Sequence, residues 1–565
     1  MVQDSATPGS GGRGRPEPQD RAPAGAAAPE HGRPPEDQNE GHPRRWLVLG
    51  VLVFALLVVV LDNTVLNVAL KTISEPAPVG IGASQSDLEW AINSYTLIFA
   101  GLLFTWGILA DRVGRKRVLM LGMLLFGLSS LLCAYCSSPG ELIAARAAMG
   151  FSGAAIMPPT LAVITNVFPR KEQAKAIGIW SGSVGLAIAI GPVVGGALLD
   201  SFWWGSVFLI NVPITLIAFV IMLILLPESK NPKPGRLDPV GVLLEMAGLV
   251  VFVYGIIHAG DTGQWGSPSV WGSIGGGLLL LVGFVLWELH TEQPALDVRL
   301  FANRSFSAAV ISVALTFFAM MGGMFFFSFY LQSVRGYTPL KSGVFMLPFA
   351  AAMIIFSPLS SSMVKRFGPR TVAVTGLVAI AIAMACYQFV TQSSPMWIYL
   401  LIAFFQGAAM ANVMPPATTT VMSSLPRQVA GIGSSVNNTV RQLGGALGVA
   451  VLGTVLTTAY RGRMQPLVDA VPNSHLTSAE AQYVSGSIEA TQQAVGIAEA
   501  QGNTRAAGLL QPANDAFVHA MHITTLTGSG IMVFAAIVVA LWMPKKLAAS
   551  AGPVDAAAKA ESMAG

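Results

Sequence analysis

The sequence predicts an all-α integral membrane protein of about 14 spanning helices, arranged as two six-helix halves with two inserted helices. Of its 565 residues, 53% are hydrophobic and 11% are charged, whereas about 25% of the residues in a soluble domain are charged. Apolar runs recur at the length of roughly 20 residues that a bilayer core of about 30 Å requires. The motifs of the first half also return in the second half.

The repeated motifs are a basic loop and a proline-containing helix. The loop at 111–116 reads DRVGRK, and the loop at 365–370 reads KRFGPR. Met-Pro-Pro occurs at 157–159 and at 414–416, and in both copies Pro-Arg begins 12 residues after the methionine. Secondary transporters place their substrate site at the interface between such repeats. The duplication therefore favours transport over a receptor or channel function.

The apolar runs give six spans in the first half, two in the insertion and six in the second half. They begin near Trp46, Glu89, Val118, Glu141, Ala174, Val207, Pro239, Trp271, Phe306, Ser342, Thr371, Met396, Gly431 and Ile523.

Arginine and lysine are concentrated in the loops on one side of the predicted bundle, as at 112–117, 170–175 and 365–370. We expect a multi-pass protein of the cytoplasmic (inner) cell membrane. Because basic loops face the cytoplasm, both termini are expected to be cytoplasmic. The net charge of +4 reflects these loops and does not indicate nucleic acid as a partner.

The predicted organisation follows from composition. The N-terminal tail is expected to be disordered because its Pro/Gly/Ala-rich sequence cannot bury a core. A long connection at about 460–520 is either an outer cap or a passive loop. The predicted segments are tail 1–45, first half 46–229, linker with inserted helices 230–305, second half 306–545 and C-terminal tail 546–565.

Four motifs give the chain a resemblance to a known family. The stretch 61–70 reads LDNTVLNVAL, 107–116 reads GILADRVGRK, and Arg146 with Gly150 forms a third motif. The fourth consists of Gly182, Gly185, Gly191, Pro192, Gly195 and Gly196. With these motifs, residues of about 45–545 resemble the major facilitator superfamily, specifically its 14-span drug:proton antiporter branch. The sequence departs from the family pattern at Lys71 and Met149, and Lys365 replaces the acid of the first loop copy.

The resemblance implies the fold of that superfamily and proton-coupled efflux of hydrophobic drugs or antibiotics, cationic ones among them, by alternating access. The expected energy source is the proton gradient, with no cofactor. We expect hydrophobic small molecules, protons and membrane lipids as partners of a functional monomer. Two alternatives stay open: an exporter of one metabolite or self-made antibiotic, and a non-transporting receptor or channel.

Two charged residues in the predicted spans are candidates for proton coupling. An intramembrane carboxylate costs about 2.5–3.5 kcal/mol on insertion scales, so Asp62 is a candidate proton carrier. The alternative is a carboxylate that only packs against Asn63, Thr64 or Asn67. Arg146 stays charged, and we expect it either to act on Asp62 or to snorkel to the interface.

The resemblance also implies two conformational elements. A cytoplasmic gate is predicted at Gly107, Asp111, Arg112, Gly114 and Arg115, although basic residues here could serve orientation alone. An antiporter kink is predicted in the fifth span, where Pro192 removes a backbone hydrogen bond and the motif glycines allow close packing. The kink is interpreted either as a seal against proton leak or as packing only.

The substrate cavity is predicted at Asn437, Asn438 and Arg441 in the thirteenth span and at Met324 and Phe327 in the ninth. Methionine and aromatic side chains suit promiscuous binding of apolar molecules. We identify no catalytic residues, no metal-ligand pattern and no phosphate-binding Gly-Lys-Ser/Thr loop, so the chain is not expected to be an enzyme or to use ATP.

Overall fold

A computed structural model of the chain describes residues 42–231, 235–291, 294, 296–424, 430–470, 478–501 and 504–545. These residues include 14 helical segments that are long and apolar enough to span a membrane, which confirms the expected all-α architecture. The predicted tails lie outside the described residues, apart from positions 42–45. In chain order the segments are α1 Arg45–Ser74, α2 Gln85–Val113, α3 Arg115–Ala134, α4 Pro139–Val167, α5 Lys171–Ser201, α6 Ser206–Leu225, α7 Pro239–Thr262, α8 Pro268–His290, α9 Arg304–Val334, α10 Pro339–Phe367, α11 Pro369–Phe389, α12 Met396–Ser423, α13 Ser435–Asp469 and α14 Ala506–Trp542.

The last two spans differ most from the sequence prediction. Helix α13 continues to Asp469, and α14 begins at Ala506 rather than near Ile523. The extra stretch of α13 is rich in polar residues, and polar residues interrupt the extra stretch of α14 at 511, 514–515, 519 and 522. A prediction based on apolar runs therefore makes both helices too short. A helix that leaves the hydrocarbon can continue as long as other parts of the chain cover it.

The two basic loops each turn at a glycine with a positive φ angle. Gly114 and Gly368 each join two spans and adopt positive φ angles of 133° and 83°. Only glycine adopts such angles without strain. The sequence repeat is therefore also a structural repeat.

The bundle has two ends, which we name by what they carry. The terminal face carries the loops at Gly114 and Gly368 and the start of α1. The cap face carries two short helices, Ser478–Val484 and Ile488–Ala500, which we call the cap. At the cap face the halves are in contact, because Gln332 Nε2 of α9 donates to the carbonyl of Val68 in α1 at 2.9 Å.

The cap is bonded to both halves. Gln493 Nε2 donates to the carbonyl of Ser74, the last residue of α1, at 2.8 Å. Gln492 Nε2 donates to the carbonyl of Ser333 near the end of α9 at 2.9 Å. The described part of the long connection is therefore a packed cap, the first of the two interpretations that the sequence left open.

Seating of the cap is expected to weaken as the pH rises through about 7. Glu489 is 6% exposed and accepts a hydrogen bond from Ser333 Oγ at 2.8 Å. Burial raises the pKa of Glu489 to about 7, although Ser333 and Lys71 oppose the shift. Because a raised pKa favours the neutral carboxyl in the seated cap, the seated state is most stable at acidic pH and loses stability as the carboxyl ionises.

Hydrogen exchange of the cap amides measures this effect. In the wild type we expect the exchange rate of the cap amides to rise with pH more steeply than the intrinsic exchange rate does. The Glu489→Gln variant should lose this additional rise. Glu499→Gln, at an exposed position of the same helix, is the matched control. If Glu489→Gln keeps the additional rise, Glu489 is not its source.

Of the two inserted helices, α7 packs against α8, α2 and α13. A Cβ on Gly248 would lie 2.9 Å from Leu281, and one on Gly260 would lie 3.0 Å from Thr454. Only 17% of the apolar window of α8 is buried, so this helix presents most of its surface outward, as expected for a helix that faces lipid.

Candidate functional site

The structure brings Asp62 and Arg146 together in the interior of the first half. Arg146 Nη1 lies 2.5 Å from Asp62 Oδ2, and the two residues are 0% and 2% exposed. Arg146 Nε also donates to the carbonyl of Ala91 at 3.2 Å. Of the two expectations for Arg146, the structure therefore has the contact with Asp62 and not the snorkelling arginine. The role of the pair in coupling stays a prediction.

Two further residues complete this site, and sequence reasoning missed both. Asn211 of α6 donates from Nδ2 to Asp62 Oδ1 at 3.0 Å and to Ser130 Oγ at 3.1 Å. The Tyr95 ring lies against the Arg146 guanidinium, with 4.3 Å between the ring centroid and Cζ. The sequence does carry a signal for Asn211, because a side-chain amide is rare within a strongly apolar span.

A glycine on α4 allows the approach that positions Arg146. A Cβ on Gly150 would lie 2.9 Å from the Cα atom of Tyr95, closer than real Cβ atoms come. Gly150 is one helical turn after Arg146, so the close contact of α4 with α2 lies directly beside the ion pair. This is the physical reason for the spacing of the Arg146 and Gly150 motif.

If Asp62 carries a proton, as the sequence predicts, it would act as a switchable counterion. A buried guanidinium needs an opposite charge, because an unpaired charge in a low dielectric is strongly unfavourable. Protonation of Asp62 would remove that charge and leave Arg146 to find another partner. We therefore predict that a proton on one oxygen would change the packing of α1, α4 and α6 together.

The antiporter motif of α5 separates into two environments. Gly191 and Gly195 pack against α1, where their added Cβ atoms would lie 2.8 Å from Thr64 Cβ and from Val65 Cγ1. Gly182 and Gly185 have no atom within 4 Å of an added Cβ. Close packing therefore explains only part of the motif.

The remaining motif positions contact the second half. A Cβ on Gly196 would lie 2.5 Å from Leu340 Cα at the start of α10. A Cβ added to Gly343 of α10 would likewise collide with the backbone of Pro192. We call this contact between α5 and α10 the α5–α10 seam, and it lies at the cap face. The sealing role of the kink stays a prediction.

The predicted gate residues lie at the terminal face. Asp111 Oδ1 is 2.9 Å from the Arg115 guanidinium, and Asp111 Oδ2 accepts from Asn231 Nδ2 at 3.3 Å. Arg112 Nη2 donates to the carbonyl of Gly235 at 2.8 Å. These contacts join the loop to the linker that follows the first half. The gate function itself stays a prediction.

The two glycines of the predicted gate differ in the space around them. Gly107 faces Pro158, with 3.5 Å between an added Cβ and the proline Cβ. Gly114 faces the carboxylate of Glu228, which an added Cβ would approach to 2.6 Å. Space therefore explains the glycine at 114, whereas an added Cβ at Gly107 would make only an ordinary van der Waals contact.

The predicted cavity residues divide between two small cavities. Asn438 and Arg441 line a cavity of about 60 Å³ between α1, α2, α4, α9 and α13. Met324 and Phe327 line a second, mainly apolar cavity of about 50 Å³ that also touches Pro192. Asn437 is not part of either lining. Residues of both halves line each cavity, and we call the first one the central cavity.

Comparison with known proteins gives a family match. The model of the Major Facilitator Superfamily matches residues 52–449. The multidrug efflux pump LfrA of Mycolicibacterium smegmatis is 33% identical over 501 residues, which cover 88% of this chain and 96% of LfrA. The tetracenomycin C resistance and export protein of Streptomyces glaucescens is 32% identical over 416 residues, which cover 74% of this chain and 76% of that protein.

Other relatives and solved structures agree with this match. The methyl viologen resistance protein SmvA of Salmonella typhimurium is 32% identical over 506 residues, which cover 88% of this chain and 98% of SmvA. Among solved structures, that of a bacterial homologue of the human lysosomal transporter Spinster, in an inward-facing and occupied conformation, shares the fold. It matches this chain with a TM-score of 0.62 at 18% sequence identity, over 88% of this chain and 97% of that one. The resemblance is confirmed: this chain belongs to the major facilitator superfamily and to its multidrug and antibiotic efflux transporters.

Proposed function

We propose that this transporter exports hydrophobic small molecules across the cytoplasmic membrane in exchange for protons, with Asp62 as the proton carrier. The observation that carries the proposal is the buried ion pair between Asp62 and Arg146, supported by Asn211. Intramembrane ionisable residues commonly form proton relays. This site combines a titratable acid with a fixed cation that responds to its charge.

The proposed orientation puts the terminal face and both termini in the cytoplasm, with the cap face outside. It rests on the basic loops at the terminal face. A proton that enters from outside neutralises Asp62, and Arg146 then loses its counterion. The packing of α1 against α4 and α6 changes, which favours opening towards the other side. Release of the proton to the cytoplasm restores the pair and completes the exchange.

Substrates are proposed to bind between the halves, in the central cavity lined by Asn438 and Arg441 and in the second cavity lined by Met324 and Phe327. A single self-made antibiotic is the second candidate substrate. The export of tetracenomycin C by a relative favours it. A broad range is the first candidate, because LfrA is a multidrug efflux pump.

Inverted membrane vesicles with an acidified interior test the exchange. We expect lipophilic compounds to collapse the pH gradient in vesicles that contain this protein and not in vesicles that lack it. Neutral and cationic compounds are compared at equal concentration, which separates a broad from a narrow substrate range. If neither drugs nor the compounds made by the host collapse the gradient, proton-coupled export is wrong.

A further inference from the structure

The first inserted helix, α7, and the cap have no part in the exchange described above, yet both line the same cavity. This cavity has a volume of about 220 Å³ and a mainly polar lining. It is surrounded by the start of α2, the end of α7, the second part of α13 and the cap. We call this space the cap cavity. Its charged and titratable lining residues are Glu89, Asp261, Arg461, Tyr483 and Glu489.

The cap cavity contains more carboxyl groups than cations. Arg461 has Asp261 as its acidic neighbour, and Arg461 Nη1 also donates to the carbonyl of Gly260 at 3.0 Å. Glu89 and Glu489 are the two remaining acids. Lys71 acts on Glu489 from α1 but does not line the cavity.

Glu89 is the residue that indicates a ligand. Its side chain is 2% exposed, and Glu89 Oε2 has no hydrogen-bond partner within the described part of the chain. The carboxyl lies directly against α13, where a Cβ on Gly453 would be 2.7 Å from Glu89 Cδ. Gly453 therefore leaves the room that the carboxyl occupies. Gln85 acts on the carboxyl group as a hydrogen-bond partner but is itself neutral. A buried carboxylate with one oxygen unpaired is strongly unfavourable, so the group holds a proton or receives a cation.

The size and lining of the cavity select the kind of cation. Pockets for whole drug-sized molecules usually measure about 300–1,000 Å³, so this cavity fits a small organic cation or the charged end of a larger one. The aromatic ring of Tyr483 and two carboxyl groups suit an ammonium or pyridinium group, which binds to aromatic faces as well as to anions. Gln85, Gln482 and Gln493 also line the cavity and add neutral polar contacts.

We propose that the cap cavity is a binding site for organic cations, in which Glu89 and Glu489 hold an ammonium or pyridinium group in place of a proton. Binding itself does not depend on the proposed function. Its place on the export path does rest on that function: a substrate cation would pass this site on its way out beneath the cap. The site gives the inserted helix α7 a function, because the end of α7, with Asp261, forms one wall of the cavity.

Binding of benzyltrimethylammonium to the full-length protein in lipid nanodiscs tests the proposal. Isothermal titration in two buffers of different ionisation enthalpy reports both the affinity and the number of protons released. We expect wild-type protein to bind the cation with proton release. Glu89→Gln and Glu489→Gln should each weaken binding at least tenfold and reduce the proton release. Glu499→Gln, on the same cap helix but outside the cavity, should keep wild-type values.

The variants are expected to fold, because glutamine keeps the shape of glutamate and carries no buried charge; a thermal melt checks this. Wild-type affinity in Glu89→Gln, or no binding by the wild type, would overturn the proposal. The vesicle experiment separates the two failures. If the vesicles show exchange but the protein does not bind the cation, only the proposed cation site in the cap cavity is refuted. If the protein shows Glu89-dependent binding but no exchange, only proton-coupled export is refuted.

Discussion

Asp62→Asn is expected to abolish substrate-driven proton exchange, with the rate of pH-gradient collapse in inverted vesicles falling about tenfold or more. Asparagine keeps the size of the side chain and can still accept from Asn211, but it cannot carry a proton. Asp62 does not line the central cavity, so substrate binding should change little. A normal affinity with lost exchange is the result that identifies a coupling residue.

Loss of Asp62 also leaves Arg146 as a buried charge without a counterion, which destabilises a protein by about 3–5 kcal/mol. The double variant Asp62→Asn/Arg146→Gln removes both charges and should recover most of that stability while exchange stays absent. Asp469→Asn, at an exposed position at the end of α13, should behave as wild type. Proton-coupled export by a folded Asp62→Asn protein would show that the coupling acid lies elsewhere.

The spanning helices could be predicted from run length because a chain in hydrocarbon must satisfy its own backbone hydrogen bonds, which leaves helices as the available structure here. The same rule failed beyond the membrane. Helix α13 extends to Asp469 and the cap packs on the bundle through side-chain amides such as Gln493. No hydropathy signal marks such contacts, because they depend on which carbonyls the fold leaves accessible.

The pair of Asp62 and Arg146 could be anticipated because a charge inside a membrane has few favourable arrangements, and an acid and a base in one half are natural partners. Asn211 could not be joined to them from the sequence, since 149 residues separate it from Asp62. Its place beside Asp62 depends on how α6 packs against α1 and α3. Tertiary packing, which the sequence pattern does not encode locally, decides that contact.

Within the antiporter motif, the structure predicts a sharp difference between glycines of the same helix. Gly196→Ala is expected to open the α5–α10 seam, because its Cβ would meet the backbone at Leu340 Cα and Pro339 O, at 2.5 and 2.6 Å. Backbone cannot move aside as a flexible side chain does, so the two helices must separate. Gly182→Ala and Gly185→Ala meet no atom within 4 Å and are matched controls.

Spin labels at Ser201→Cys and Lys341→Cys, in a protein whose native cysteines are replaced, measure the distance across the seam. We expect the Gly196→Ala variant to shift this distance upward and to lower the exchange rate about tenfold or more, because alternating access requires each side to close in turn. The control variants should keep the wild-type distance and rate, since alanine is at least as good a helix former as glycine. Equal behaviour of Gly196→Ala and Gly182→Ala would mean that the seam does not need this close contact. The glycines of the motif would then serve the flexibility of α5 rather than closure at the cap face.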